Sequence, residues 1–256
     1  MFFVNLKMWA GNYFNIDKLG KGIVSKIILI FMLCIKAALN FLPPEYSDFS
    51  QFYVWFRNIM TAEQMTDELA VIPLTYENWM FLFLTVLVLY ICIMTSLFYS
   101  GLVLRDIRSK NGRENISLSV FLGRFIILCL VFSVIFIPFA LLAVYLVILF
   151  LLAIPIVCTI PVCYLSGDKG FFASIGDSAR RTRGFYILIL RDITGTYVIY
   201  MLLGFIVSLV SYLSGTAYAI IHSFLDVWYY MCFARICAYA YTYTQSIRIT
   251  NKTNKS

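Results

Sequence analysis

The chain has 256 residues, 62% of them hydrophobic and only 13% charged, with a mean hydropathy of +0.87. A soluble domain is about half apolar and about a quarter charged, so this balance excludes an ordinary soluble enzyme. An aromatic share of 18% excludes a disordered chain, and a net charge of +7 with no basic soluble domain behind it points to a membrane surface and away from nucleic acid.

These exclusions leave an all-α, polytopic integral membrane bundle, whose elements follow from apolar runs of about 20 residues. Residues 1–21 interleave Phe2, Phe3, Leu6, Trp9, Tyr13 and Phe14 with Asn5, Lys7 and Asn12, which predicts an amphipathic segment on the inner surface. A span is predicted over 22–42, closed by Pro43 and Pro44. Its Lys26 and Lys36 lie near its ends, from where long side chains reach the headgroups. The outer connection 43–78 carries Phe52, Trp55, Phe56 and Ile59 at helical spacing, then a capping box from Thr61 to Gln64. A small helical cap over the outer face and a plain interfacial helix both fit that pattern.

The second span covers 79–104. No ionisable charge separates Arg124 from Asp168, a length that needs two crossings, predicted at 117–137 and 139–165 with the division at Pro138. Residues 168–184 form an inner amphipathic helix, and spans at 193–213 and 216–239 complete a single transmembrane domain of six helices. Eighteen of the 20 Lys and Arg fall on the side holding both termini, whereas the first outer connection has six acidic residues against Arg57 alone. Both termini are therefore predicted to be cytoplasmic. The seven cysteines all lie in predicted spans without a CxxC pair, and read as packing residues.

Two places hold candidate functional residues. In 168–184, Phe171, Phe172, Ile175 and Ala179 share one helical face, and Asp177, Arg180, Arg181 and Arg183 the other. Asp168 is predicted to cap its start and Gly184 to end it in a left-handed turn. Arg180, Arg181 and Arg183 make it a surface for acidic membrane lipid or for docking a cytoplasmic or membrane protein partner. In the last span His222 and Asp226 are four residues apart, share a face and fall near the bilayer midplane. A charge there costs about 2.5–3.5 kcal/mol, so Asp226 is expected to be protonated or paired. A proton or cation relay with His222, and a neutral carboxyl bonded to a Tyr or to His222, both remain open. Arg235 lies nine residues on, on the opposite face.

The sequence has one His and none of the P-loop, HExxH, GxSxG or dinucleotide patterns, so no catalytic residue, metal or cofactor is expected. The block from Ile116 to Gly204 has a long apolar stretch ending in Ile154-Pro155-Ile156. It continues through Asp168 and the run Ala173 to Gly184 into another apolar span. It resembles a group of poorly characterised bacterial six-span proteins that includes the non-catalytic membrane domain of some glycerophosphodiester phosphodiesterases. The resemblance implies a bacterial inner-membrane protein, carries over no catalytic residue and spans roughly a third of the chain. The expected function is a non-enzymatic scaffold or partner subunit of an inner-membrane complex. The alternative is transport, as the permease subunit of an ATP-driven exporter or a proton-linked carrier using Asp226.

Overall fold

The computed structural model describes residues 11, 22–61, 72–210 and 214–253, and the side chains of these except 135–153, 210 and 244–253. The amphipathic segment expected over 1–21 and the short helix expected after Thr61 lie outside the described residues. A chain so poor in polar side chains must satisfy its own backbone N–H and C=O groups, and helices do so within each segment. The regular elements are accordingly α1 (Gly22–Asn40), α2 (Ser50–Thr61), α3 (Tyr76–Lys110), α4 (Leu118–Leu165), α5 (Phe171–Thr182), α6 (Tyr186–Val210) and α7 (Gly215–Thr253). A 3-10 turn at Pro44–Ser47 joins them, with no strand among the described residues.

Among the described residues, three helices are long and apolar enough to cross a membrane: Gly22–Asn40, Tyr76–Lys110 and Tyr186–Leu209 within α6. Leu118–Val134 and Ile154–Leu165 are shorter apolar stretches of α4. Large apolar side chains such as Phe31, Phe83, Val134 and Phe205 point outward, as a lipid-solvated bundle requires.

Helical backbone runs unbroken through Pro138, where the sequence suggested a division. Yet α4 is not straight. The Arg124 guanidinium donates to the Tyr164 carbonyl at 2.8 Å, whereas forty residues of straight helix would hold them about 60 Å apart. Phe121 and Leu128 of the outbound limb share a buried cluster with Tyr164 and Leu165 of the returning limb, closed by Met94 and Leu97 of α3. The chain therefore reverses between 135 and 153. A proline inside an apolar helix removes one N–H donor and kinks the rod, but it need not end it.

Helix α7 forms the spine. It packs against α1, α3, α4, α5 and α6. Val227, Met231, Ala234, Cys237, Ala238 and Tyr241 on α7 meet Ile28 and Met32 of α1, and Cys92, Tyr99 and Val103 of α3. The small residues Cys92, Ser96 and Ser100 are all buried, which lets α3 approach its neighbours closely. At the other end Thr75 and Asn78 form a capping box for α3. Asn78 also donates to the carbonyls of Tyr46 and Asp48, fastening the outer connection to the helix. No residue of α2 is buried, and Phe52 stacks on Trp55 and Phe56 of its own helix. Within the outer connection, α2 is therefore an exposed helix; residues 62–71, the rest of the expected cap, lie outside the described residues.

Candidate functional site

Two buried polar clusters stand out, one between the helices and one at the end of the bundle where the basic residues gather. In the first, the Asp226 carboxylate on α7 receives the Lys36 ammonium of α1 at 2.8 Å on Oδ2 and the Tyr200 hydroxyl of α6 at 2.7 Å on Oδ1. His222, one turn away, brings Nδ1 to 3.7 Å from the same Oδ1, too far for a hydrogen bond but close enough to feel the charge. Further along α1 and α7, Asn40 donates to Ser223 at 2.7 Å. Tyr197, Tyr200 and Tyr229 line the adjoining side with rings in contact, and Tyr218 lies against His222.

The sequence placed His222 and Asp226 together, and the structure does too. The principal partner was missed. Lys36 does not snorkel outward; its side chain is only 17% exposed and turns inward to Asp226. Four residues on from Met32 and three before Leu39, it belongs to the stripe of α1 that packs on α7. That spacing was visible, but the direction of the stripe was not. The chemistry available is exchange of a proton or a charge among a carboxylate, an ammonium, a phenol and an imidazole.

The second cluster joins α3, α4, α5 and α7. Arg108 donates to the Ser166 carbonyl at 2.7 Å and to Asp168 at 3.1 Å, and the Tyr241 hydroxyl donates to the other oxygen of Asp168 at 3.1 Å. Asp168 was expected to cap the inner helix, but the N-cap is Gly170, with no side-chain hydrogen bond. Drawn toward Arg108 and Tyr241, the carboxylate serves a tertiary contact instead. Gly184 does adopt the expected left-handed conformation, at φ 92°.

Helix α5 turns most of its polar face inward and most of its apolar face outward. Ser174, Asp177, Ser178 and Thr182 are buried, while Phe172 is 85% exposed and Ile175 and Ala179 also face outward. Phe171 alone of the apolar face turns in, edge-on to Tyr164. The polar face is inward because it finds partners there: Asp177 pairs with Lys169 at 2.8 Å and with Arg181. Ser178 meets Thr159 at 2.6 Å and donates to the Ile156 carbonyl at 2.7 Å. Burial pushes the Asp177 carboxyl up, but hydrogen bonds from Lys169 and Arg181 outweigh it and hold the group below its ordinary value. Arg181 is thus an internal residue, its guanidinium also stacked over Tyr241 at 4.8 Å, and leaves the basic surface to Arg180 and Arg183.

Arg235 is 1% exposed on α7, and its Nε and Nη1 have no hydrogen-bond partner among the described residues. Among those residues no group of three or more His, Cys, Asp or Glu is arranged to hold a metal ion. No protein-family model, curated protein or solved structure matches this chain.

Proposed function

We propose that the chain is a six-span protein of the bacterial inner membrane with both termini cytoplasmic. It has no catalytic chemistry of its own and works as a scaffold or partner subunit of a membrane complex. The observation that carries this reading is that the three buried aspartates among the described residues each hold a basic partner. Asp226 has Lys36, Asp177 has Lys169 and Arg181, and Asp192 has Arg191. Lys36 with Asp226 fastens α1 to α7, and the other two aspartates close on cations within or beside their own helix; a general acid or a nucleophile needs a free oxygen aimed at substrate. The reversal of α4 and the basic residues of the 105–124 and 169–191 connections support the six-span arrangement. The resemblance of 116–204 to membrane domains without catalytic residues supports the non-enzymatic role.

Purification of the tagged chain in mild detergent, with mass spectrometry of what stays bound, tests the reading. A membrane protein recovered at fixed ratio supports it. The chain recovered alone overturns it, and a nucleotide-binding protein at fixed ratio replaces it with the permease subunit of an ATP-driven exporter.

A second reading, a proton-linked carrier, is favoured by His222, which faces the same oxygen of Asp226 that Tyr200 holds. Asp226→Asn would then abolish uptake or efflux in proteoliposomes that hold equal amounts of folded variant and parent protein.

A further inference from the structure

The outward face of α5 is exposed among the described residues. Its apolar stripe is Phe172, Ile175 and Ala179, and Arg180 and Arg183 are exposed beside it. The opposite face is closed by Asp177 with Lys169 and Arg181, and by Ser178 with Thr159. The stripe is therefore held outward by hydrogen bonds and ion pairs behind it. Short connections fix its height. Ser166–Gly170 link it to the end of α4, and only 183–185 link it to α6. Three residues reach about 10 Å when fully extended, little more than the thickness of one headgroup layer. In water an exposed Phe172 would be unfavourable, whereas acyl chains accept it; Arg180 and Arg183 beside it suit anionic headgroups.

We propose that α5 lies in the headgroup layer of the inner leaflet, with Phe172 and Ile175 immersed among acyl chains and Arg180 and Arg183 binding acidic phospholipid. This rests on the chain being embedded in a membrane, but not on its being a scaffold or a carrier. The helix is then a lipid-selecting element, held in place behind by Asp177 and by Arg181 stacked over Tyr241 of α7.

Full-length chain carrying Phe172→Cys or, as a second position, Ile175→Cys is labelled with an environment-sensitive fluorophore. It is reconstituted in vesicles of phosphatidylcholine with an equal part of phosphatidylglycerol. Cys34, exposed on α1, is labelled separately as the reference for embedding and is replaced by Ser in the other two proteins. The quenchers are nitroxide-bearing phosphatidylglycerol, nitroxide-bearing phosphatidylcholine and aqueous iodide. The expected result is quenching at 172 and 175 by both lipids and not by iodide, with the ratio of phosphatidylglycerol to phosphatidylcholine beside the helix raised by up to about thirtyfold, from about 1 kcal/mol for each of two arginines near the surface. Arg180→Gln with Arg183→Gln removes that enrichment. Quenching by iodide at 172 and 175 overturns the proposal, as does quenching by neither, which would mean that protein covers the stripe. If Cys34 also escapes the lipid quenchers, the embedding itself fails; if Cys34 is quenched, only the placement of α5 does.

Discussion

Lys36 and Asp226 lie 190 positions apart and meet at 2.8 Å between α1 and α7. Removing one partner leaves the other charge stranded, which costs about 3–5 kcal/mol in a buried site. Asp226→Ala and Lys36→Ala should each lower the unfolding temperature strongly in detergent or nanodiscs. Lys36→Met combined with Asp226→Leu should recover most of the loss, because a buried ion pair contributes little over a well-packed apolar pair. Effects that simply add in the double variant would show that the two residues are not coupled.

Asp177 gives a pH signature with a definite sign. Its carboxyl is held below the ordinary value by Lys169 and Arg181 against the effect of burial, so the folded chain takes up this proton less readily than the unfolded one. The stabilisation is therefore complete above the unfolded carboxyl value of about 3.9 and disappears as pH falls through the lower folded value. Asp177→Asn should cost about 2 kcal/mol at neutral pH. The gap between the two melting temperatures should close only when the pH is taken below about 4. A gap that is independent of pH down to that range and beyond would contradict the ion pair.

Gly101 tests the packing of α3 on the outbound limb of α4. A Cβ at this position would come within 2.6 Å and 2.8 Å of two ring carbons of Phe121, a side chain that is fully buried. Gly101→Ala should therefore destabilise by about 1–3 kcal/mol through overpacking. Phe121→Leu in the same chain should relieve part of the loss, and thermal melts of the single and double variants decide it.

The reversal of α4 can be tested by chemistry alone. Phe121→Cys with Leu165→Cys should be joined in high yield by a short bifunctional thiol reagent, because both side chains lie in one buried cluster. On a straight rod the two positions would be about 66 Å apart and no link could form. Cross-linking is read as a mobility change after proteolysis between the two sites.

How far the sequence reaches is clearest in α5 and α1. The period of 3.6 showed that Phe172, Ile175 and Ala179 share a face, and that a helix starts near Gly170 and stops before Gly184. It did not show which face turns inward. Apolar spacing points to the core when the solvent is water, but in lipid an apolar face is as well satisfied outside, and the polar face goes where its partners are. Lys36 escaped for a related reason. A lysine seven residues before a helix-ending proline pair has two ways to satisfy its charge, and local spacing cannot register a carboxylate on α7. Asp226 announced itself because no such escape exists near the middle of a span.

The place of α7 as the spine has a consequence for how the chain is made. Among the described helices it is made after all the others, yet α1, α3, α4, α5 and α6 all pack on it. Lys36 precedes its counter-charge by 190 residues, which at about 5–20 residues per second is roughly 10–40 s of synthesis. For that interval the earlier helices wait without their common neighbour, and Lys36 must borrow water or headgroups. Packing against α7 is then a late step that follows its synthesis, and a nascent chain halted before Asp226 would leave Lys36 unpaired and be a substrate for membrane quality control.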